Sequence, residues 1–360
     1  MTERMPGLDL LRLFAGLALI VCHAGFWLSP LRIPDTFWLM LGHLGVELFL
    51  VSTGFLLARR GFAAIHAESV WRNWLRALFR LWPLYAVLLV VNLALIPAGD
   101  RLPDWIRYLG FAQNLAWPHP EFFGEAWIVA AAAMIMLIVP VIATALHGRK
   151  LMPGLLVIAA LLLAAHGLRV LLVWQGDPVF DLGVRKILIS RLDLPFYGLL
   201  VAWLWIGRYA LLMRWRGSLA IAGLALLGLS VWMHLTIPLN ASMSARVYLL
   251  PVCDLGWALM LPWACSARLH ASIAVIAQGL AASAFAGLLT HMTALRVGAA
   301  YGMPLSPAST ADGILMLSSY VLLAVGLALL VCRLIDRPWL ALRDRCLPLA
   351  AKHPGPVAER

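Results

Sequence analysis

The sequence predicts an all-α fold: a polytopic membrane helical bundle of about ten transmembrane helices. Three observations carry this expectation. Only 45 of 360 residues are formally charged, 28 Lys or Arg and 17 Asp or Glu, about half the share found in soluble domains. The hydrophobic fraction is 63% and the mean hydropathy +0.89, more apolar side chain than a soluble globule of this size can hide. Apolar runs also recur at the length of about 20 residues that crosses the hydrocarbon core. The same composition excludes a disordered chain, a collagen, a coiled coil and a disulfide scaffold.

Bounded by Pro, Gly and charge, the runs fall at about 8–28, 37–58, 81–97, 126–146, 151–174, 192–207, 217–236, 247–267, 271–292 and 314–334, the third and sixth being short. No internal repeat and no low-complexity linker interrupts them. Residues 1–340 therefore read as one transmembrane domain, and 341–360 as a short basic tail. The N-terminus is not expected to be a cleavable signal, because Asp9 and Arg12 break its apolar stretch and no A-x-A site follows. Cys22, Cys253, Cys265, Cys332 and Cys346 are scattered, with no CxxC or Cys/His ligand spacing. Neither a disulfide framework nor a metal site is expected.

Orientation follows from the basic residues. With the N-terminus in the cytoplasm, cytoplasmic segments hold 18 of the 28 Lys and Arg and the opposite face 8. The eight are Arg32, Arg101, Arg107, Arg185, Lys186, Arg191, Arg246 and Arg296; Arg12 and Arg169 lie within spans. This split predicts both termini inside. It also accounts for the net charge of +11 without a nucleic-acid partner.

Polar residues inside a span are costly, about 2.5–3.5 kcal/mol for a charge near the bilayer centre, and so mark candidate chemistry. Arg12 and His23 in the first span return to within about 20° of one face, about 16 Å apart along the axis. Asp9, three residues before Arg12, is placed to hold its guanidinium. The second span carries His43 and Glu47 as (i, i+4) neighbours, in a pattern that is not HExxH. Such a pair is either a tuned base or a hydrogen-bonded helix clamp. His166 and Arg169 share a face of the fifth span and read as a structural pair, and Asp193 and Asp254 have Arg191 and Arg246 as prospective partners. His291 falls at the depth of His23 and His43.

Between the second and third spans, Arg72, Arg76 and Arg80 recur every fourth residue and form one cationic stripe on a helix, with Trp71 and Trp74 at the interface. An amphipathic helix on anionic membrane lipid satisfies that pattern. So does a phosphate clamp for a nucleotide-bearing cofactor, since Arg forks match phosphate.

Four segments resemble the integral-membrane acyltransferase family three, ten-span bacterial enzymes that O-acylate glycans, antibiotics and other extracytoplasmic acceptors. Leu8-Asp9-Leu10-Leu11-Arg12 through Cys22-His23 is similar to the family's opening L-D-x-x-R segment and its histidine. The run from Gly45 to Gly54-Phe55 resembles G-V-D-L-F-F-V-L-S-G-F. Arg76 to Arg80, Pro83 and Tyr85 resemble R-x-x-x-R-x-x-P-x-Y, and Asp336-Arg337-Pro338-Trp339 resembles the closing E-x-P-F. Two departures stand out. The family's fourth-span signature falls on Trp127 through Pro140, but Ala132 and Ala133 occupy its carboxylate positions; Glu121 and Glu125, just outside the span and at a different depth, are candidates to substitute. A later S-Y-S-x-Y-L-x-H element keeps only Phe285 and His291.

The resemblance implies an enzyme that moves an acetyl (acyl) group from cytoplasmic acyl-CoA to a hydroxyl of an exported or surface polysaccharide or its lipid-linked precursor. It implies acetyl-CoA as donor substrate, no bound cofactor, and a multi-pass place in the bacterial inner membrane, within reach of a polysaccharide biosynthesis complex. Arg72, Arg76 and Arg80 would hold the donor phosphates. His23 would be the general base or carry the acyl group, and Arg12 would orient the donor or polarise its carbonyl with Asp9 holding it. Apart from the resemblance, Glu47 is our own candidate for the carboxylate role absent at Ala132, steering His23 or His43. Of the sixteen tryptophans, Trp27, Trp38, Trp117 and Trp127 are candidates to stack on sugar rings, beside their ordinary place in interfacial belts. A catalytically degenerate, glycan-binding or scaffold member, and a transporter of acyl or glycan intermediates, are the alternatives.

Overall fold

A computed structural model of the chain describes residues 5–64, 69–96, 105–119, 121–304 and 306–348. Arg4, Arg101, the Glu121 side chain and the basic tail beyond 348 lie outside the described residues. The described residues are helical, with no strand. In chain order the helices are α1 (Pro6–Ala24), α2 (Asp35–Ala64), α3 (Val70–Ala94), α4 (Ile106–Leu109), α5 (Ala126–Leu146) and α6 (Leu151–Gly176). Then come α7 (Leu194–Gly207), α8 (Tyr209–Thr236), α9 (Met243–Ser266), α10 (Ala271–Ala300), α11 (Thr310–Val331) and α12 (Arg337–Cys346). All but α4 belong to the ten segments long and apolar enough to cross a membrane, α11 and α12 sharing the last of them. In lipid every backbone N–H and C=O must be satisfied within the segment, which is why the apolar runs are helices.

Three elements differ in extent from the sequence reading. The third span is not a short run preceded by a separate basic helix. α3 is one helix from Val70, capped by the Ser69 side chain on the Arg72 N–H, and it runs through Pro83, so the arginine stripe is the first turns of the span itself. The sixth span reaches crossing length because α7 is preceded by a tight turn at Leu188–Arg191, giving 20 residues in all. α11 passes through a wide turn at Cys332–Asp336 into α12, so helix continues across the expected boundary at residue 340.

α2 is the axle of the bundle, with 72% of its most apolar window inside the protein and with α1, α5, α7 and α9 packed around it. Small residues make these approaches close. A Cβ on Gly45 would stand 2.7 Å from the Ala15 carbonyl oxygen, and one on Gly198 of α7 would stand 2.3 Å from the Phe55 nitrogen and 2.4 Å from the Val51 oxygen. Backbone-to-backbone contact of this kind drives helix association where the hydrophobic effect cannot. Gly198→Ala is therefore expected to destabilise the detergent-solubilised protein by about 1–3 kcal/mol, the usual cost of overpacking. A melting curve identical to wild type would show that α2 and α7 do not touch there.

Candidate active site

The close α1–α2 and α1–α10 crossings bring two histidines together. His23, in the last turn of α1, and His291, on α10, place His23 Nδ1 and His291 Nε2 3.1 Å apart, with ring centroids at 5.0 Å. The remaining contacts order the protons. His291 Nδ1 lies 3.1 Å from the Gly287 carbonyl, which can only accept, so the proton sits on that nitrogen and leaves Nε2 as an acceptor. His23 Nδ1 must then donate, shared between His291 Nε2 and the Leu19 carbonyl at 3.0 Å. By this assignment His23 Nε2 keeps its lone pair. The His291 turn is held in place by the Tyr320 hydroxyl, which donates to the His291 carbonyl at 2.7 Å.

Both histidines line a cavity of about 260 Å³ whose walls also include Trp127, His119, Glu125, Arg185, Lys186 and Arg296. Glu125 immediately precedes α5 without making a side-chain cap bond to it; its Oε1 accepts from the Thr293 N–H at 3.2 Å, while Oε2 has no hydrogen-bond partner. Burial, only partly offset by the Arg296 charge, pushes its carboxyl up to about 7. His119 Nε2 accepts the Trp127 N–H at 3.1 Å, and burial, followed by the Lys186 charge, holds the ring down to about 3, hence neutral. Arg185 lies over the Trp127 ring, 4.6 Å from its centroid. Asp181 takes both Arg185, at 2.5 Å, and Lys186, at 2.6 Å. Although burial raises its carboxyl, these two cations outweigh that and hold it down to about 2.

Of the residues singled out in the sequence, His23, His291, Trp127 and Glu125 meet at this cavity, whereas Arg12, Asp9, Glu47, His43 and the arginine stripe do not. Arg12 lies about three turns of helix away, its guanidinium 5.7 Å over the Phe49 ring, with Asp9 one turn further along α1. Between the two levels α1 and α10 meet through small residues, Gly16 against Ala284. Glu47 is held by an arginine rather than by His23 or His43. Both its oxygens are taken by Arg191, at 3.0 and 2.5 Å, and Arg191 also reaches Asp254 at 3.2 Å. A fully buried carboxylate needs a countercharge, and Arg191 rather than a histidine supplies it. His43 packs instead on His234, 4.7 Å between centroids, and on Phe180. Arg169 pairs with Asp193, not His166, whose ring lies by Tyr248. Trp27 is buried with its Nε1 on the Pro304 carbonyl, and Trp117 lies under Arg107.

The arginine stripe lies at the opposite end of the bundle. Arg72 donates to the Pro348 carbonyl at 2.6 Å, Arg76 to the Leu347 carbonyl and to Asp344 at 3.0 Å, and Arg80 lies 3.9 Å from Asp336 and over the Phe285 ring. The chain's own C-terminal segment thus covers the stripe.

His119, Arg185, Lys186 and Arg296 were not singled out as site residues in the sequence. Their signal was present all the same: the last three belong to the minority of basic residues on the face opposite the termini. Among the described residues no three His, Cys, Asp or Glu side chains converge as metal ligands. Arg72 and Arg76 are the groups suited to a phosphate-bearing molecule, since their present partners include neutral carbonyls.

A family model described as an acyltransferase domain matches residues 5–336, nearly the whole chain. No curated protein and no solved structure matches it.

Proposed function

The chain belongs to the integral-membrane acyltransferase family three, and from that premise we propose that it transfers an acetyl group from acetyl-CoA to a hydroxyl of an exported or surface polysaccharide, or of its lipid-linked precursor. The observation that carries this reading is the His23–His291 pair, which leaves one imidazole nitrogen of His23 as a lone-pair acceptor in a walled cavity. His23 Nε2 removes the proton of the acceptor hydroxyl as its oxygen attacks the thioester carbonyl carbon. The C–S bond breaks, and the departing thiolate takes that proton from His23, so the ring ends neutral. Meanwhile His291 Nε2 accepts from His23 Nδ1 and holds the ring in its tautomer, the part an orienting acceptor plays for a catalytic histidine.

Glu125 supplies the carboxylate that Ala132 and Ala133 do not. Ionised, it stabilises the positive charge that develops on His23 inside a poorly solvated cavity. This favours an active enzyme over a degenerate, glycan-binding relative. At the other end Arg72, Arg76 and Arg80 would take the donor phosphates. These form stronger charge-assisted bonds than the Leu347 and Pro348 carbonyls now present. With the 18:8 distribution of basic residues, the stripe and both termini face the cytoplasm of the inner membrane, and the histidines face outward.

Transfer of labelled acetyl from acetyl-CoA to host polysaccharide by the reconstituted protein, followed against pH, tests the proposal. Glu125 is neutral below about 7 and ionised above it, so the rate should rise with pH through that value. Glu125→Gln should flatten the rise and lower the upper plateau by about tenfold, a loss of about 1.4 kcal/mol of transition-state stabilisation. Wild-type protein that transfers nothing to hydroxyls, or a Glu125→Gln profile like wild type, contradicts the assignment.

A further inference from the structure

At the end of the bundle opposite the histidines, the arginine stripe is occupied by the chain itself. α12 lies on α3, and Arg72 and Arg76, one helical turn apart, direct their guanidiniums at its C-terminal end. Arg72 donates to the Pro348 carbonyl at 2.6 Å, and Arg76 donates to the Leu347 carbonyl and to Asp344 Oδ1 at 3.0 Å. Three oxygens from one segment thus meet two guanidinium forks, the number of acceptor oxygens a phosphate group offers. The sign is right as well, since the last carbonyls of a helix lack intrahelical partners and carry the negative end of its dipole. The segment sits where a phosphate would. Little else holds it there. No residue of α12 is buried, and its ring contact, Trp339 with Phe79 at 5.8 Å, leaves Trp339 40% exposed. Asp344 is 53% exposed and is shared with Arg343 at 2.8 Å, so its pairing with Arg76 is of the weak, solvent-screened kind. The stem is different: in the turn at Cys332–Asp336 both end residues are buried. α12 can therefore lift from a fixed root without opening the core.

We infer that residues 337–348 form an autoinhibitory strap, whose C-terminal oxygens occupy Arg72 and Arg76 until a phosphate-bearing donor lifts them off. The inference rests on the donor reading of the stripe and adds that donor binding is gated by the chain's own end. Phosphate oxygens are charged and bond guanidinium more strongly than carbonyls do, so the donor wins the exchange. Its affinity is nonetheless reduced by the fraction of molecules in which the strap is closed.

Binding of free CoA to the protein in nanodiscs tests the strap without relying on transfer. A chain ending at Leu342, which lacks all three oxygens, should bind CoA about tenfold tighter than the full chain, the factor by which closed molecules then outnumber open ones. A chain ending at Ala350, which keeps them, should bind like the full chain. Asp344→Asn in the full chain should tighten binding about threefold, the scale of an exposed ion pair. A segment that only packs would give no gain in either case. A second measurement needs no truncation. A nitroxide on the exposed Cys346 of the full chain should gain mobility when CoA is added, and Arg72→Gln with Arg76→Gln should free it with no CoA present. Equal CoA affinity of the full chain and the chain ending at Leu342, or a Cys346 label unmoved by saturating CoA, overturns the inference. So does a chain ending at Ala350 that binds as tightly as the one ending at Leu342, because residues beyond 350 would then be the cover. No CoA binding by any form overturns the strap and the donor reading together. Acetyl transfer from CoA with an unmoved label overturns the strap alone.

Discussion

His23→Ala is expected to lower acetyl transfer by about two to four orders of magnitude, the range a positioned general base contributes, with the KM for acetyl-CoA nearly unchanged. The split follows from geometry. His23 lines the cavity and would meet the acceptor hydroxyl, whereas the donor phosphates would lie at the arginine end of the bundle. His291 touches His23 and acts on the reaction through it, so it is a positioning residue. His291→Ala is expected to cost less, about tenfold to a hundredfold in kcat, the scale seen when a supporting partner is removed. It should also alter the pH dependence, since nothing then fixes the His23 tautomer. Steady-state kinetics of both variants at matched membrane abundance check the pair. Equal losses in both, with KM rising in step, would point to a collapsed cavity rather than a base and its support.

Arg191→Met is expected to be the most damaging change away from the cavity, though it touches no reacting group. Arg191 is 2% exposed and satisfies Glu47 and Asp254, both fully buried, so its removal leaves two carboxylates facing each other. Breaking a buried pair from one side costs about 3–5 kcal/mol, a large part of the stability a domain has to spare. Little Arg191→Met protein should survive as a monodisperse species in fluorescence-detected gel filtration. Adding Glu47→Gln and Asp254→Asn to the same chain should restore much of it, because the unpaired charges are gone. Normal folding of Arg191→Met would show that the cluster is not a structural clamp. A Glu47→Gln protein that folds normally yet transfers no acetyl would return Glu47 to the chemistry.

The contrast between His23 and Glu47 shows what can be read from one dimension. Ten apolar stretches, interrupted at the right places, are enough to find the spans, because bilayer thickness sets a single length scale. Depth is legible too: His23 near the end of the first span and His291 near the end of the ninth lie at one level, and the structure joins them. Azimuth between helices is not legible. Glu47 has a histidine four residues away, yet its partner is an arginine 144 residues on, in a turn whose approach depends on Gly198 fitting against Phe55 and Val51. Residues between spans pose the same difficulty. Arg185 and Lys186 looked like minority charges in a count, and only the fold of the 180–191 turns sets both in the cavity wall, with Arg185 over Trp127. The arginine stripe was plain as a pattern, but its cover by Leu347 and Pro348 was not, since a pattern carries no record of what lies on it.

The claim that most needs testing is that this chain acylates a hydroxyl through His23. The direct measurement is the O-acetyl content of the host's surface polysaccharide in a deletion strain carrying either wild type or His23→Ala at equal abundance. The account predicts that acetyl disappears on deletion and returns with wild type alone. Acetyl restored equally by both proteins would contradict it, and would make the chain a carrier or scaffold in which His23 and His291 serve only to pack α1 against α10.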